Sequence, residues 1–363
     1  MTSTAIKPFR IDIPQSQIDD LNERLDRTLR ANEIPGSGSS YGVSVDWVQT
    51  LVAKWRTQFD WREVEARLNQ YPQFTTEIDG QQVHFLHVRS GRPDATALIL
   101  THGWPGSVLE FLDVIEPLTR AGYDLVIPSM PGFGFSGPTT EAGWEVYRTA
   151  AAWVELMRRL GYQRYGAVGN DGGSMVSPEV GRLDPEHVVG VHVTQLFSFP
   201  SGDPAEMVDL TADEQAGLER LTWFWETLGA FNVLQSQQPQ TLSHALADSP
   251  AGLVGWNGQL FDGVDDDFAL ANIATYWFTG TSGSSMRFYY EMARSTTRPE
   301  GPTTVPIALA GSQSDFLSIR RFAERDHHNI VSWNVYDAGS HYTAHTDPEL
   351  YAKDVTQFFD QLG

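Results

Sequence analysis

Tyr165-Gly-Ala-Val-Gly-Asn-Asp-Gly-Gly-Ser174 decides how the rest of the chain is read. An apolar run ends at Gly169, two polar residues and two glycines follow, and an amphipathic pattern then begins: strand, sharp turn, helix. At its centre lies Gly169-x-Asp171-x-Gly173. Small flanking residues suit a crowded strand-to-helix turn, where a Cβ would clash. Asn-Asp-Gly-Gly is also ordinary turn chemistry. About 0.2 chance matches to this pattern are expected in a chain of such composition, so context must decide.

Outward from it, short apolar runs alternate with helical patterns. The strand candidates are ALILT (97–101), DLVIP (124–128), YGAVG (165–169), VVGVHV (188–193), VPIALAG (305–311) and IVSWNVY (330–336). Separated by amphipathic segments such as YRTAAAWVELMRRLG (147–161), they predict an α/β protein with a mostly parallel sheet covered on both faces. There the Gly-x-Asp-x-Gly turn follows the third strand and matches the elbow of the α/β-hydrolase fold, with aspartate where serine is usual. Thr101-His-Gly-Trp-Pro-Gly106 follows ALIL. A loop there offers the Trp104 N–H, and the Gly172 N–H is a second donor, together an oxyanion hole. His102 is expected to hold this loop rather than to move protons.

Before the sheet, Ile18, Leu21, Leu25 and Leu29, then Val48, Leu51, Trp55 and Phe59, recur at helical spacing on either side of the breaker IPGSGSSYG (34–42). Asp79-Gly80 between β-rich runs predicts a hairpin. From about Gly202 to Pro299 the α/β rhythm stops. This aromatic-rich, helical stretch, bracketed by PSGDP (200–204) and RPEGP (298–302), is expected to lie over the sheet as a cap.

The 363 residues are 41% hydrophobic and 20% charged, ample for a buried core. A net charge of −21 argues against nucleic acid and anionic membrane surfaces as partners. The absence of cysteine removes disulfides, thiolate metal sites and a cysteine nucleophile, and fits a reducing cytoplasm. MTSTAIKPFRIDIPQ holds no apolar run of signal-peptide length, and no uninterrupted apolar run of about 18 residues occurs, so no membrane span is expected.

An aspartate at the elbow attacks an sp³ carbon and leaves an ester, which suits epoxide opening or halide displacement rather than acyl transfer. The base should come late, after a late strand. His341, in Asp337-Ala-Gly-Ser-His341, fits, with His345 as the rival. A metal pair of the two lacks an obvious third ligand, and Asp347-Pro348-Glu349 looks like a helix start. Asp315, past VPIALA, is the natural orienting carboxylate, or a helix cap. Ring opening needs a proton donor from the cap, where the tyrosines are Tyr276, Tyr289 and Tyr290.

HGWPGS (102–107), PGFGFSGP (131–138), GNDGGS (169–174), ADSPAGL (247–253), YWFTG (276–280), RFY (287–289) and GSHY (339–342), with the opening FRIDIPQSQIDDLNERLDRT, resemble in order the motifs of the microsomal-type epoxide hydrolases. The resemblance spans nearly the whole chain. It implies Asp171 as nucleophile, His341 as base, Asp315 as acid where relatives often have glutamate, and Tyr289 as one ring-opening phenol. It implies an N-terminal segment (1–95), core halves (96–200 and 301–363) and a cap (201–300). Two departures stand out. Gly172 replaces a frequent tryptophan, and Phe231 stands where the family's second phenol falls. Trp104, Phe231 and Trp277 are candidates to line the pocket for an apolar or aromatic epoxide. Water is the second reactant, no cofactor or metal is implied, and a homodimer is allowed. The competing activities are haloalkane or haloacid dehalogenation, against which Gly172 counts, and non-catalytic ligand binding.

Overall fold

The computed structural model describes residues 5–297 and 300–363; Arg298 and Pro299 of the expected RPEGP bracket lie outside them. The chain opens with β1 (Lys7–Phe9), α1 (Gln15–Asp26), α2 (Val45–Thr57), α3 (Trp61–Leu68) and the hairpin β2 (Gln73–Ile78)–β3 (Gln81–Val88). Asp79 and Gly80 close the hairpin with φ of 51° and 77°, both positive, as the Asp-Gly pair predicts. Then come β4 (Ala97–Thr101), α4 (Ile115–Ala121), β5 (Asp124–Pro128), α5 (Val146–Leu160), β6 (Tyr165–Gly169), α6 (Gly172–Leu183) and β7 (Val188–Val193). Six helices follow: α7 (Ala212–Thr227), α8 (Ala230–Gln237), α9 (Pro239–Asp248), α10 (Pro250–Gly258), α11 (Asp266–Thr279) and α12 (Ser282–Arg294). The chain returns through β8 (Ile307–Ser312), α13 (Arg320–Asp326), β9 (Ile330–Tyr336), α14 (Thr343–Thr346) and α15 (Pro348–Asp360).

Among the described residues the strands form one sheet in the order β1-β2-β3-β5-β4-β6-β7-β8-β9. Pairing is antiparallel as far as β3–β5 and parallel from β5–β4 onward. This is the α/β-hydrolase architecture. Every residue of β4, β5 and β6 is buried, because helices cover both faces. Successive β7 residues show it: a Cβ on Gly181 of α6 would lie 3.0 Å from Val191, while His192 pairs with Asp354 of α15 at 2.8 Å.

Three local expectations shift. α1 closes before Leu29, which is 91% exposed, and Phe59 lies beyond α2. Val305 and Pro306 stay outside β8, since proline has no N–H for the ladder. No helix among the described residues is long and apolar enough to cross a membrane.

Candidate active site

The sequence between β6 and α6 forces the elbow. Asp171 takes φ 50° and ψ −119°, outside the regions favoured by a side chain. The turn survives because its flanks are bare: a Cβ at Gly169 would stand 2.1 Å from the Gly173 carbonyl oxygen, and one at Gly173 only 1.8 Å from that of Thr101. The Asp171 N–H donates to Gln195 Oε1 at 2.8 Å, fixing the peak of the turn.

All the expected groups of the core gather at the C-terminal ends of parallel strands, where loops of an open α/β sheet build sites. His102–Trp104 follow β4, Asp171 follows β6, Asp315 follows β8 and His341 follows β9. The Trp104 N–H donates to Asp171 Oδ1 at 2.9 Å, and the Gly172 N–H supports the same carboxylate. The other oxygen, Oδ2, lies 3.8 Å from His341 Nε2. On the far side of the imidazole, Nδ1 is 2.9 Å from Asp315 Oδ1. His102 is buried and holds loops: Nδ1 donates to the Gly103 carbonyl at 2.9 Å and Nε2 accepts the Met130 N–H at 3.1 Å. Burial lowers its pKa to about 4, so it stays neutral.

The charges of the cluster oppose desolvation. Burial disfavours the His341 imidazolium, but Asp315, then Asp171 and Glu110, outweigh it and hold the pKa up to about 9. Burial raises the Asp171 pKa against the pull of His341 and the two N–H donors. Burial also works against Asp315, yet His341 and Gln195 keep its pKa below the usual range. The resting site therefore favours an imidazolium between two carboxylates.

Of the tyrosines singled out, Tyr289 reaches the site. Its ring meets Trp104 edge-on at 6.1 Å, and its pKa is driven well above normal by burial and then by Asp171. Phe231 stacks on Trp104 at 5.5 Å and 19°. Tyr276 is occupied elsewhere, its hydroxyl donating to the Gly106 carbonyl at 2.7 Å, and Tyr290 lies under the Arg294 guanidinium. Trp277 is not brought to this cluster; its ring lies beneath Arg24 of α1. His345 is committed to Asp113 (2.7 Å) and Asp265 (3.0 Å) and stacks on Phe268. Asp315 caps no helix, since α13 begins only at Arg320.

Two site residues escaped the sequence reading. Gln195, just past β7, accepts from the Asp171 N–H and donates from Nε2 to Asp315 Oδ2 at 2.5 Å, tying the two carboxylates' loops together. Its only sequence signal was its place after a parallel strand. Glu110 is 1% exposed, and no periodicity marks it as anything but helix surface.

The chain matches the family described as epoxide hydrolase N terminus over residues 6–111 and the alpha/beta hydrolase fold family over 96–245. A Stigmatella aurantiaca protein assigned provisionally as an epoxide hydrolase is 38% identical over 98% of this chain and 85% of its own length. The crystal structure of juvenile hormone epoxide hydrolase from the silkworm Bombyx mori is 26% identical, with a TM-score of 0.91 over 99% of this chain and 95% of that one. The structure of Aspergillus niger epoxide hydrolase is 29% identical, with a TM-score of 0.88 over 100% and 98% of the two chains. With its sequence and its fold agreeing over nearly their full length, the chain belongs to the epoxide hydrolases of the α/β-hydrolase fold.

Proposed function

We propose that the protein hydrolyses an apolar or aromatic epoxide through an ester on Asp171. The observation that carries this is the unequal treatment of the two Asp171 oxygens: Oδ1 is held by the Trp104 N–H while Oδ2 faces His341. Oδ2 attacks an epoxide carbon, the C–O bond of the ring breaks, and the Tyr289 phenol gives its proton to the released oxygen. Oδ1 becomes the ester carbonyl oxygen, already in the hole where negative charge will develop.

Esterification removes the Asp171 charge, so the imidazolium loses one of its two close carboxylate partners and its pKa falls. Its proton restores the Tyr289 phenol, and neutral His341 is ready as a base. Water then adds to the ester carbonyl carbon, giving one proton to His341. Collapse breaks the bond to the diol oxygen, which takes that proton back, and the acid left on Asp171 returns its proton to His341. Epoxide and water give a diol with every group restored. Asp315 orients the imidazole and stabilises its charge.

Residues 201–300 act as the cap that supplies Tyr289 and Phe231. The triangle of Trp104, Phe231 and Tyr289 rings beside Asp171 supports an apolar or aromatic substrate. A single turnover in ¹⁸O-water with enzyme in excess tests the ester. The diol should be unlabelled, with label entering the Asp171 carboxylate. Label in the first diol formed means direct attack by water and ends this reading.

A further inference from the structure

Glu110 lies in the 3₁₀ turn Val108–Val114 behind the Trp104 loop. It is 1% exposed, yet neither carboxyl oxygen has a hydrogen-bond partner. The Asn170 side chain acts on it only weakly, without closing a hydrogen bond. Its head group occupies the space left by Gly106: a Cβ there would come within 2.5 Å of Oε2. The same point is 3.3 Å from Cε1 of Tyr342, whose hydroxyl is also buried without a partner. Tyr342 follows His341 directly, and their rings meet at 4.9 Å.

An unpartnered carboxyl is costly to bury, and an apolar side chain would fill the space as well. Both side chains lie against Gly106, and buried polar groups without partners suit a water, which needs two to four of them. Glu110 bears electrostatically on both His341 and Asp171. Burial pushes its pKa far above the usual range, and its carboxyl oxygens can accept a hydrogen bond from water.

Resting on the two-step mechanism above, we propose that Glu110 holds the water that hydrolyses the Asp171 ester. The carboxyl accepts a hydrogen bond from the proton that the water keeps, while the other proton goes to His341 as the water oxygen adds to the ester carbon. Tyr342 is the second anchor. Glu110 is idle in ring opening, where no water takes part.

The two half-reactions of Glu110→Met, Glu110→Gln and the parent test this by rapid mixing and by mass measurement of the ester. Glu110→Met should melt no lower than the parent and alkylate at its rate. It should hydrolyse the ester at least about tenfold more slowly, so that ester accumulates. Glu110→Gln keeps a carbonyl acceptor in the same place and should restore hydrolysis to within about threefold of the parent. Gly106→Ala is an independent variant should the methionine chain fail to fold. Its Cβ displaces the Glu110 head and should slow the same step. Ester hydrolysis at the parent rate in folded Glu110→Met, or in Gly106→Ala, overturns the proposal. So does a glutamine variant as slow as the methionine one. If the parent forms no ester at any time, the covalent mechanism fails and this role with it; an unchanged hydrolysis rate overturns the Glu110 role alone.

Discussion

Phe231 and Tyr289 face one another beside Trp104, their ring centroids 6.0 Å apart and their planes at 85°. Phe231 also stacks on Trp104, and to this aromatic group it brings only carbon. On the proposed mechanism, ring opening then draws on one cap hydroxyl, that of Tyr289.

The first prediction follows. Acid assistance is worth about 10²–10⁴ in rate, so Tyr289→Phe should lower alkylation by about 10² or more. Phe231→Tyr should raise the alkylation rate or change which carbon is attacked. Pre-steady-state alkylation of both variants decides. Near-normal alkylation by Tyr289→Phe would remove the single-phenol reading. Attention would then move to the Trp104 indole Nε1–H, which is buried with no partner.

His341→Gln should alkylate and then stall, leaving an ester visible as a mass increase. His345→Gln should turn over normally, because His345 is tied to Asp113 and Asp265. Losing those bonds should cost about 1 kcal/mol of stability, read as a lower melting temperature. An adduct trapped by His345→Gln alone would reverse the assignment of the base.

The charges set a pH signature. His341 has a pKa of about 9 while Asp171 is ionised. In the ester that charge is gone, so the ester-hydrolysis rate should rise with pH through a midpoint below 9. Asp315→Asn removes the largest partner that favours the imidazolium, and should move that midpoint lower while reducing the plateau. For stability the sign is opposite to the usual carboxylate case. A folded pKa raised above the unfolded value of 6.5 gives stabilisation that is full below 6.5 and lost as pH rises through about 9. His341→Gln should flatten this part of the melting-temperature profile. A midpoint at or above 9 in the hydrolysis step would contradict the account.

The strands, the elbow and the His341 loop were legible because each is written in local chemistry: continuous apolar runs, bare flanks around Asp171, a flexible Ala-Gly-Ser before the histidine. Other features depend on what meets across the fold. Tyr276 and Trp277 are equally aromatic neighbours, but a helix turns about 100° per residue, so one reaches Gly106 and the other Arg24. Gln195 matters because it touches both Asp171 and Asp315, which are 144 residues apart in the chain. Glu110 lies on a short turn whose other buried residues are apolar, and only packing shows that its carboxyl faces inward.

The elbow glycines give the last prediction, because two neighbours should behave in opposite ways. A Cβ on Gly172 would meet Gly103 Cα at 3.5 Å and a Phe288 ring carbon at 3.6 Å, ordinary contacts. Gly172→Ala also keeps the N–H that supports Asp171, and alanine restricts the unfolded chain at the first position of α6. It should be neutral or stabilising by about 0.5 kcal/mol, with activity within a few-fold of the parent. Gly173→Ala places its Cβ 1.8 Å from the Thr101 carbonyl oxygen, and that oxygen accepts the Asn170 N–H at 3.1 Å. Backbone must move at the junction of β4 and β6, and Asp171 moves with it. A cost of about 3 kcal/mol, roughly 5 °C or more in melting temperature, should accompany a large loss of alkylation. Equal stability and equal alkylation in the two variants would mean that the elbow is not held by the close approach of Gly173 to Thr101.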